Sequence, residues 1–412
     1  MKRRVVITAL GTINAIGNDV PSTWNSVLEG KNGIDKITLF NTENQRDYLV
    51  AEVKDFHPED YLPLKEARRL DRVMIFGLVA AKEAYENSGL DENSFDHDRF
   101  GTFVTSGIGG LGTINEESKK AHLKSADRMS PFFVPNSIIN LVSGNIAIKY
   151  QLKGPAMGIV TACSSATNAI GEAFRYIRDG YLELVFAGGS EASINEIGIG
   201  GFASMKAISP SMDKDRASIP FDLERTGFVM AEGAGVLLLE EYEHAKKRGA
   251  KIHAELLGYG ANCDAFHITQ PDQTAEGIVK CMRLALEDAN VAPEKIDYIS
   301  PHGTSTYYND RLETKGIKTL FGPHAYEISI GATKSMHGHS LGAVGGIESV
   351  ILVRALEEGI VPPTINYRVK DPECDLDYTP NHYRIRDIKY AIKNSLGFGG
   401  HNATLVFKKW EE

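Results

Sequence analysis

The sequence predicts an α/β protein. Short β-branched runs alternate with longer amphipathic segments, the pattern of β-α-β units around a mostly parallel, buried sheet. The same grammar recurs on both sides of residue 250, so two similar halves, 1–250 and 251–412, are expected within the 412 residues.

Taken in order, Arg4 to Leu10 reads as a first strand and Val73 to Asn87 as a helix ended by Gly89. Phe100 to Ser106 reads as a strand entering the turn Gly107-Ile108-Gly109-Gly110. Gly158 to Ala162 is expected as a short strand, followed by the small-residue turn Cys163-Ser164-Ser165. Beyond it, Ala166, Ala169, Ile170, Ala173, Phe174 and Ile177 recur at helical spacing before Gly180. The strand Leu182 to Ala187 ends in Gly188-Gly189, as a late strand near Ser395 ends in Gly399-Gly400, which points to a duplication. The second series comprises strand Ala254 to Leu257, helix Glu276 to Ala289, strand Tyr298 to Ser300, helix Gly345 to Glu358 and a hairpin around Gly397 to Phe407.

With 42% hydrophobic and 24% charged residues the chain can bury a core, which excludes wholesale disorder. Its net charge of −9 argues against a nucleic-acid binder held by a broad basic surface. The four cysteines, Cys163, Cys263, Cys281 and Cys374, lie far apart; neither a disulfide framework nor a zinc site is indicated, and a reducing cytoplasm fits best. The opening MKRRVVITAL has too short and too β-branched an apolar run for a signal peptide. No stretch approaches a membrane span.

Chemistry is expected first at Cys163. A cysteine at the first turn of a helix feels the positive end of the helix dipole beside free N–H groups, which favours a thiolate or a developing oxyanion. A buried small residue at a tight junction is the other reading. His302 opens Pro301-His302-Gly303-Thr304-Ser305-Thr306 at a strand's C-terminal edge, where α/β sheets bind ligands. His339 lies in a second strand-to-helix turn, Gly331 to Ala343. Histidines donating to nearby carbonyls would carry no chemistry. No spacing supports a metal site, and the glycine runs match neither a dinucleotide fingerprint nor a P-loop.

Four motifs in register resemble the β-ketoacyl-acyl-carrier-protein synthases, and within them the elongating synthase II group. They are Thr161-Ala162-Cys163-Ser164-Ser165, Pro301-His302-Gly303-Thr304-Ser305-Thr306, Lys334-Ser335-Met336-x-Gly338-His339, and Asn394-Ser395-Leu396-Gly397-Phe398-Gly399-Gly400-His401-Asn402. The likeness runs from Arg3 to Phe407. It implies a thiolase-like fold, two duplicated α/β halves forming a layered α-β-α-β-α body, in a cytoplasmic homodimer. The implied reaction is decarboxylative Claisen condensation of a Cys163-bound acyl chain with malonyl-acyl carrier protein in fatty-acid synthesis.

Residue by residue, the resemblance makes Cys163 the nucleophile, His302 and His339 the enolate-stabilising pair, and Phe398 both the second oxyanion N–H and the gate. Lys334, with Glu348 as its partner, organises the polar network. Thr304 and Thr306 match pantetheine contacts; Ile108, Phe133 and Phe202 match the acyl pocket; Lys65, Arg69, Arg128 and Lys206 match carrier-protein docking positions. No resident cofactor is implied, since phosphopantetheine arrives on the carrier.

Several residues depart from the family pattern: Ala9, the run Ser164-Ser165-Ala166, Asp127, the pair Tyr307-Tyr308, His337 and His401. The stretches Gly338-His339-Ser340-Leu341-Gly342-Ala343 and Asn309-Asp310-Arg311-x-Glu313-Thr314 also resemble ketosynthases of dissociated polyketide or polyene pathways, which is the alternative reading. A non-catalytic chain-length subunit is opposed by the retained Cys163 and histidine pair.

Overall fold

The computed structural model describes residues 2–411; Met1 and Glu412, the outermost residues of the two expected halves, lie outside the described residues. Nine strands and six main helices form the body. In chain order they are β1 (Val5–Asn14), α1 (Arg72–Asn87), β2 (Phe100–Thr105), α2 (Leu141–Tyr150), α3 (Ser165–Arg178), β3 (Leu184–Glu191), β4 (Gly233–Glu241) and β5 (Ala254–Cys263), then α4 (Glu276–Ala289), β6 (Tyr298–Ser300), α5 (Tyr307–Phe321), β7 (Ser329–Ile330), α6 (Val344–Glu358), β8 (Tyr390–Gly397) and β9 (His401–Lys409).

The strands hydrogen-bond in the order β7-β6-β8-β9-β5-β1-β4-β3-β2. Strands β1 to β4 occupy one side and β5 to β9 the other, and they meet where Val5–Ile7 pairs with Ala254–Leu256. The expectation of a mostly parallel sheet is corrected. Only β2/β3, β6/β8 and β6/β7 run parallel, while the long central strands pair antiparallel. β1, β3 and β4 are buried along their whole lengths. Covered on both faces, they lack the inside-outside alternation that marks an ordinary antiparallel strand, so they read like parallel ones.

Helices α3 and α6 each pack against strands from both sides of the sheet, α1 and α2 cover β1, β2 and β4, and α4 covers β5 and β9 with α5 packed against α4. The body is therefore layered α-β-α-β-α, with the α3/α6 pair at its centre. The apolar stripe of α3 (Ala169, Ile170, Ala173, Phe174, Ile177) meets Ile347, Val350 and Ile351 of α6 in the largest core cluster. The two helices approach closely because Gly345 faces Thr167: a Cβ there would sit 2.2 Å from its Oγ1 and 2.8 Å from its N.

Gly158 to Ala162 is not a strand. After an isolated bridge between Ala156 and Thr102 the chain leaves the sheet edge, and the Thr161 N–H donates to the Ser165 hydroxyl at 2.8 Å. A local side-chain partner replaces the ladder bond the apolar run was expected to make.

Candidate active site

Cys163 sits in a single 3-10 turn, Ala162–Ser164, that runs into α3. Ala162 occupies the left-handed region at φ 51°, a conformation disfavoured for a residue with a Cβ and a local strain held by its neighbours. The Ser164 and Ser165 hydroxyls hold it by donating to the carbonyls of Thr161 (2.7 Å) and Ala162 (2.6 Å), and Asn168 donates to the Thr161 hydroxyl at 2.7 Å. The elbow aims Cys163 into a cavity while leaving it only 8% exposed.

The backbone N–H groups of Cys163 and Phe398 both act on the sulfur to lower the thiol. Phe398 comes from the turn between β8 and β9. That turn can press on the elbow because Gly397 has no Cβ; one would lie 2.5 Å from the Thr161 carbonyl oxygen. Burial pushes the Cys163 thiol up to about 12, against the opposing pull of the Lys334 charge and these two N–H groups. The resting group is a thiol whose charge is stabilised only as it reacts.

His302 stands at the end of β6. Its N–H and that of Gly303 donate to the Glu313 carboxylate on α5, at 2.7 and 2.8 Å, and Asp310 takes the N–H groups of Thr304 and Ser305 at 3.0 and 3.1 Å. His339 is fixed by backbone bonds to its neighbours in space, donating to Val229 O at 2.7 Å and accepting from Ala231 N at 3.0 Å. The two imidazoles meet edge to face with centroids 5.3 Å apart. Burial, then the nearby Lys334 ammonium, holds both well below the usual imidazole range, so both are neutral. Their Nδ1 atoms are buried without a protein partner.

Behind them Lys334 donates to the His302 carbonyl at 2.6 Å and to both Glu348 oxygens at 2.8 and 2.9 Å. Burial alone would raise the Glu348 carboxyl, but Lys334 and a second lysine, Lys393, bring it down to about 2.

Cys163, His302, His339, Phe398, Thr304 and Thr306 all line one cavity of about 690 Å³. The Thr304 and Thr306 hydroxyls lie 2.9 Å apart on its wall, with half-exposed Tyr307 and Tyr308 at the mouth. Phe202 lines it too, and Ile108 joins Phe202 and Cys163 in one apolar cluster. Phe133 does not join them. It lies on the short helix Phe133–Ser137, in a surface run where Phe132, Val134 and Ile138 are exposed, so within one chain it contributes nothing to the pocket. Of the four basic residues, Lys206 lies on the cavity rim, while exposed Lys65, Arg69 and Arg128 lie away from it.

His337 is buried with its Nε2 against the Thr333 hydroxyl, and burial lowers it to about 4. His401 pairs with Cys263 across β5/β9, outside the cavity lining. Among the described residues no group of three His, Cys, Asp or Glu side chains is placed to hold a metal, and no helix is long and apolar enough to cross a membrane. Three supports of the site, Glu313, Asp310 and Lys393, carry no role that the sequence alone assigns. A lysine inside the apolar run Ala391 to Leu396 was the available signal for the last.

Comparison with known proteins agrees with this arrangement. Residues 2–245 match the β-ketoacyl synthase N-terminal domain and residues 253–368 its C-terminal domain. The chain is 47% identical over 410 residues to 3-oxoacyl-[acyl-carrier-protein] synthase 2 of Coxiella burnetii, covering 99% of each. It is 46% identical over 409 residues to the enzyme of that name from Staphylococcus aureus (strain COL), again covering 99% of each. A solved type II PKS acyl-carrier protein in complex with its ketosynthase, bound to the hexaketide, superposes with a TM-score of 0.92 at 34% identity over both full chains. With the cysteine elbow, the neutral histidine pair and both domain matches on one continuous chain, the protein belongs to the β-ketoacyl synthase family.

Proposed function

We propose that the protein condenses a Cys163-bound acyl chain with malonyl-acyl carrier protein, extending fatty acids by two carbons. One observation carries this reading: Cys163, the Phe398 turn and two neutral imidazoles line the same cavity.

Cys163 attacks the thioester carbonyl of an incoming acyl carrier, and its proton passes to the departing pantetheine sulfur. The Cys163 and Phe398 N–H groups take the oxyanion, and the pantetheine thiol departs. Malonyl thioester then enters past Thr304 and Thr306. As CO2 leaves, the electron pair of the broken C–C bond becomes an enolate whose oxygen accepts N–H bonds from His302 and His339. The carbanion attacks the acyl-Cys163 carbonyl and the Cys163 sulfur is expelled, leaving a chain longer by two carbons. Neutral imidazoles suit this task because each retains an N–H while adding no charge to desolvate. Lys334 and Glu348 hold the His302 loop.

The reading needs no resident cofactor, because the pantetheine arm arrives with its substrate. Acidic carrier protein would dock beside Lys206. We further propose a homodimer of chains with halves 1–250 and 251–412. Segment 132–140 packs on Gly109 and Gly158 near exposed Val160 and leaves Phe132, Val134 and Ile138 bare, an apolar face that a second copy would cover, taking Phe133 toward the pocket of its neighbour. Four unpaired cysteines suit a reducing cytoplasm.

Intact-mass spectrometry with a panel of acyl-carrier thioesters, followed by malonyl-carrier protein, tests the reading. Saturated chains should load on Cys163 and grow by two carbons. Loading of polyunsaturated or keto chains alone would overturn the fatty-acid assignment.

A further inference from the structure

Lys393 is a lysine in the middle of β8 with no solvent exposure at all. Such a group is kept in a protein interior only where its charge is answered. The polar partners of its Nζ are all oxygen atoms: Glu348 Oε2 at 2.9 Å, Ser395 Oγ at 3.4 Å, Pro301 O at 3.5 Å, and the carbonyl of Asn394. Lys334 already grips the carbonyl of His302 and shares the same Glu348 carboxylate. Two ammonium groups therefore hold two consecutive carbonyls, Pro301 and His302, at the strand end that carries the first imidazole, and one carboxylate ties the two together.

We propose that Lys393 is a positioning residue for the histidine pair, its ammonium serving as a tethered monovalent cation in an oxygen cage beneath the His302 loop. The inference rests on the role given above to His302 in decarboxylation. A carboxylate, two carbonyls and a hydroxyl are the hard donors that small cations take from proteins. In this chain the cation is covalently supplied, so the site is complete without one from solution. Two carboxylates, Glu348 and Glu313, and one further ammonium, Lys334, act on Lys393 electrostatically, and burial opposes its charge.

The test uses the full chain with Lys393→Ser, which empties the cage, and Lys393→Met, which fills it without charge. Decarboxylation of malonyl-carrier protein and acylation of Cys163 are measured separately, first with choline as the only counter-cation and then with added potassium or ammonium. The wild type should be indifferent to the cation. Lys393→Ser in choline should acylate Cys163 normally and decarboxylate about tenfold more slowly or worse, the usual cost of losing such a support. Potassium or ammonium should restore it saturably. Lys393→Met should show the same loss without rescue. The proposal is overturned if either variant decarboxylates like wild type in choline, if no small cation restores Lys393→Ser, or if potassium restores Lys393→Met equally. Should Lys393→Ser fail to fold, Lys393→Met decides alone. A wild type that does not decarboxylate malonyl-carrier protein would instead overturn the reading of the enzyme, whatever the variants do.

Discussion

His302 and His339 face one another edge to face, with planes 85° apart and centroids separated by 5.3 Å, although 36 residues of chain lie between them. The perpendicular rings are not a stacked pair, and both line the cavity into which Cys163 opens.

Both rings stay neutral where ordinary histidines titrate, because burial and then Lys334 hold them below 6.5. Malonyl decarboxylation should thus show no inflection near that value. Stability should show one. Below pH 6.5 the unfolded chain takes up protons that the folded chain refuses, so stability falls as pH drops, by up to ~1.4 kcal/mol per pH unit for each imidazole. Urea melts of wild type and His339→Gln between pH ~5 and ~7 check this: the wild-type slope should be steeper. Equal slopes would mean His339 charges in the folded state. His302→Ala and His339→Ala should each keep Cys163 acylation and lose about 10²-fold in decarboxylation.

Cys163 is a buried thiol raised to about 12, with its stabilising donors set for an oxyanion. Its alkylation by iodoacetamide should climb steadily from pH ~7 to ~10.5 without the plateau a thiol near pKa ~8.5 gives above pH ~9.5. A rate flat across that interval would show a preformed thiolate. Cys163→Ala should abolish condensation, read as the absence of any acyl adduct and of elongated product.

Much of this is legible in the sequence. The helix 276–289 and strand 298–300 have clear periodicity and clear ends, and both fall where the pattern puts them. Cys163, His302 and His339 were legible as residues in turns at element ends, where backbone donors and cavities gather. Other features were hidden by physics that spacing does not carry. The fully buried β1, β3 and β4 show no alternation to betray their antiparallel pairing. Phe133 matched a motif by residue type, yet whether an apolar side chain faces inward or toward another copy is decided by packing far along the chain. Glu313 and Asp310 look like surface acids of an amphipathic helix; the turn that holds His302 and Thr304 buries them.

Gly397 is where the gate loop and the cysteine elbow touch. A methyl group there would lie 2.5 Å from the Thr161 carbonyl oxygen and 3.0 Å from the Ser164 hydroxyl oxygen, and neither neighbour can retreat without disturbing Cys163. Gly397→Ala should shift the Phe398 N–H off the sulfur and slow acylation by about 10²-fold, the cost of one lost oxyanion donor. Pre-steady-state acylation kinetics measure the effect; a wild-type rate would show that the loop already moves clear of the elbow in the reacting enzyme.

Lys206 stands exposed on the rim of the cavity of a chain whose net charge is −9, so it offers an acidic carrier a local point of attraction against a repulsive background. Rim charges act on encounter more than on chemistry. Lys206→Glu should therefore raise KM for acyl-carrier protein about fivefold, equivalent to about 1 kcal/mol, with kcat retained. The difference should shrink as salt is added, because exposed charges are screened within ~10 Å at 0.1 M. Acyl-pantetheine, which has the arm but no acidic protein, should be used equally well by both enzymes. A parallel loss with acyl-pantetheine would place Lys206 against the arm itself, and an unchanged KM for the carrier would move docking to another face.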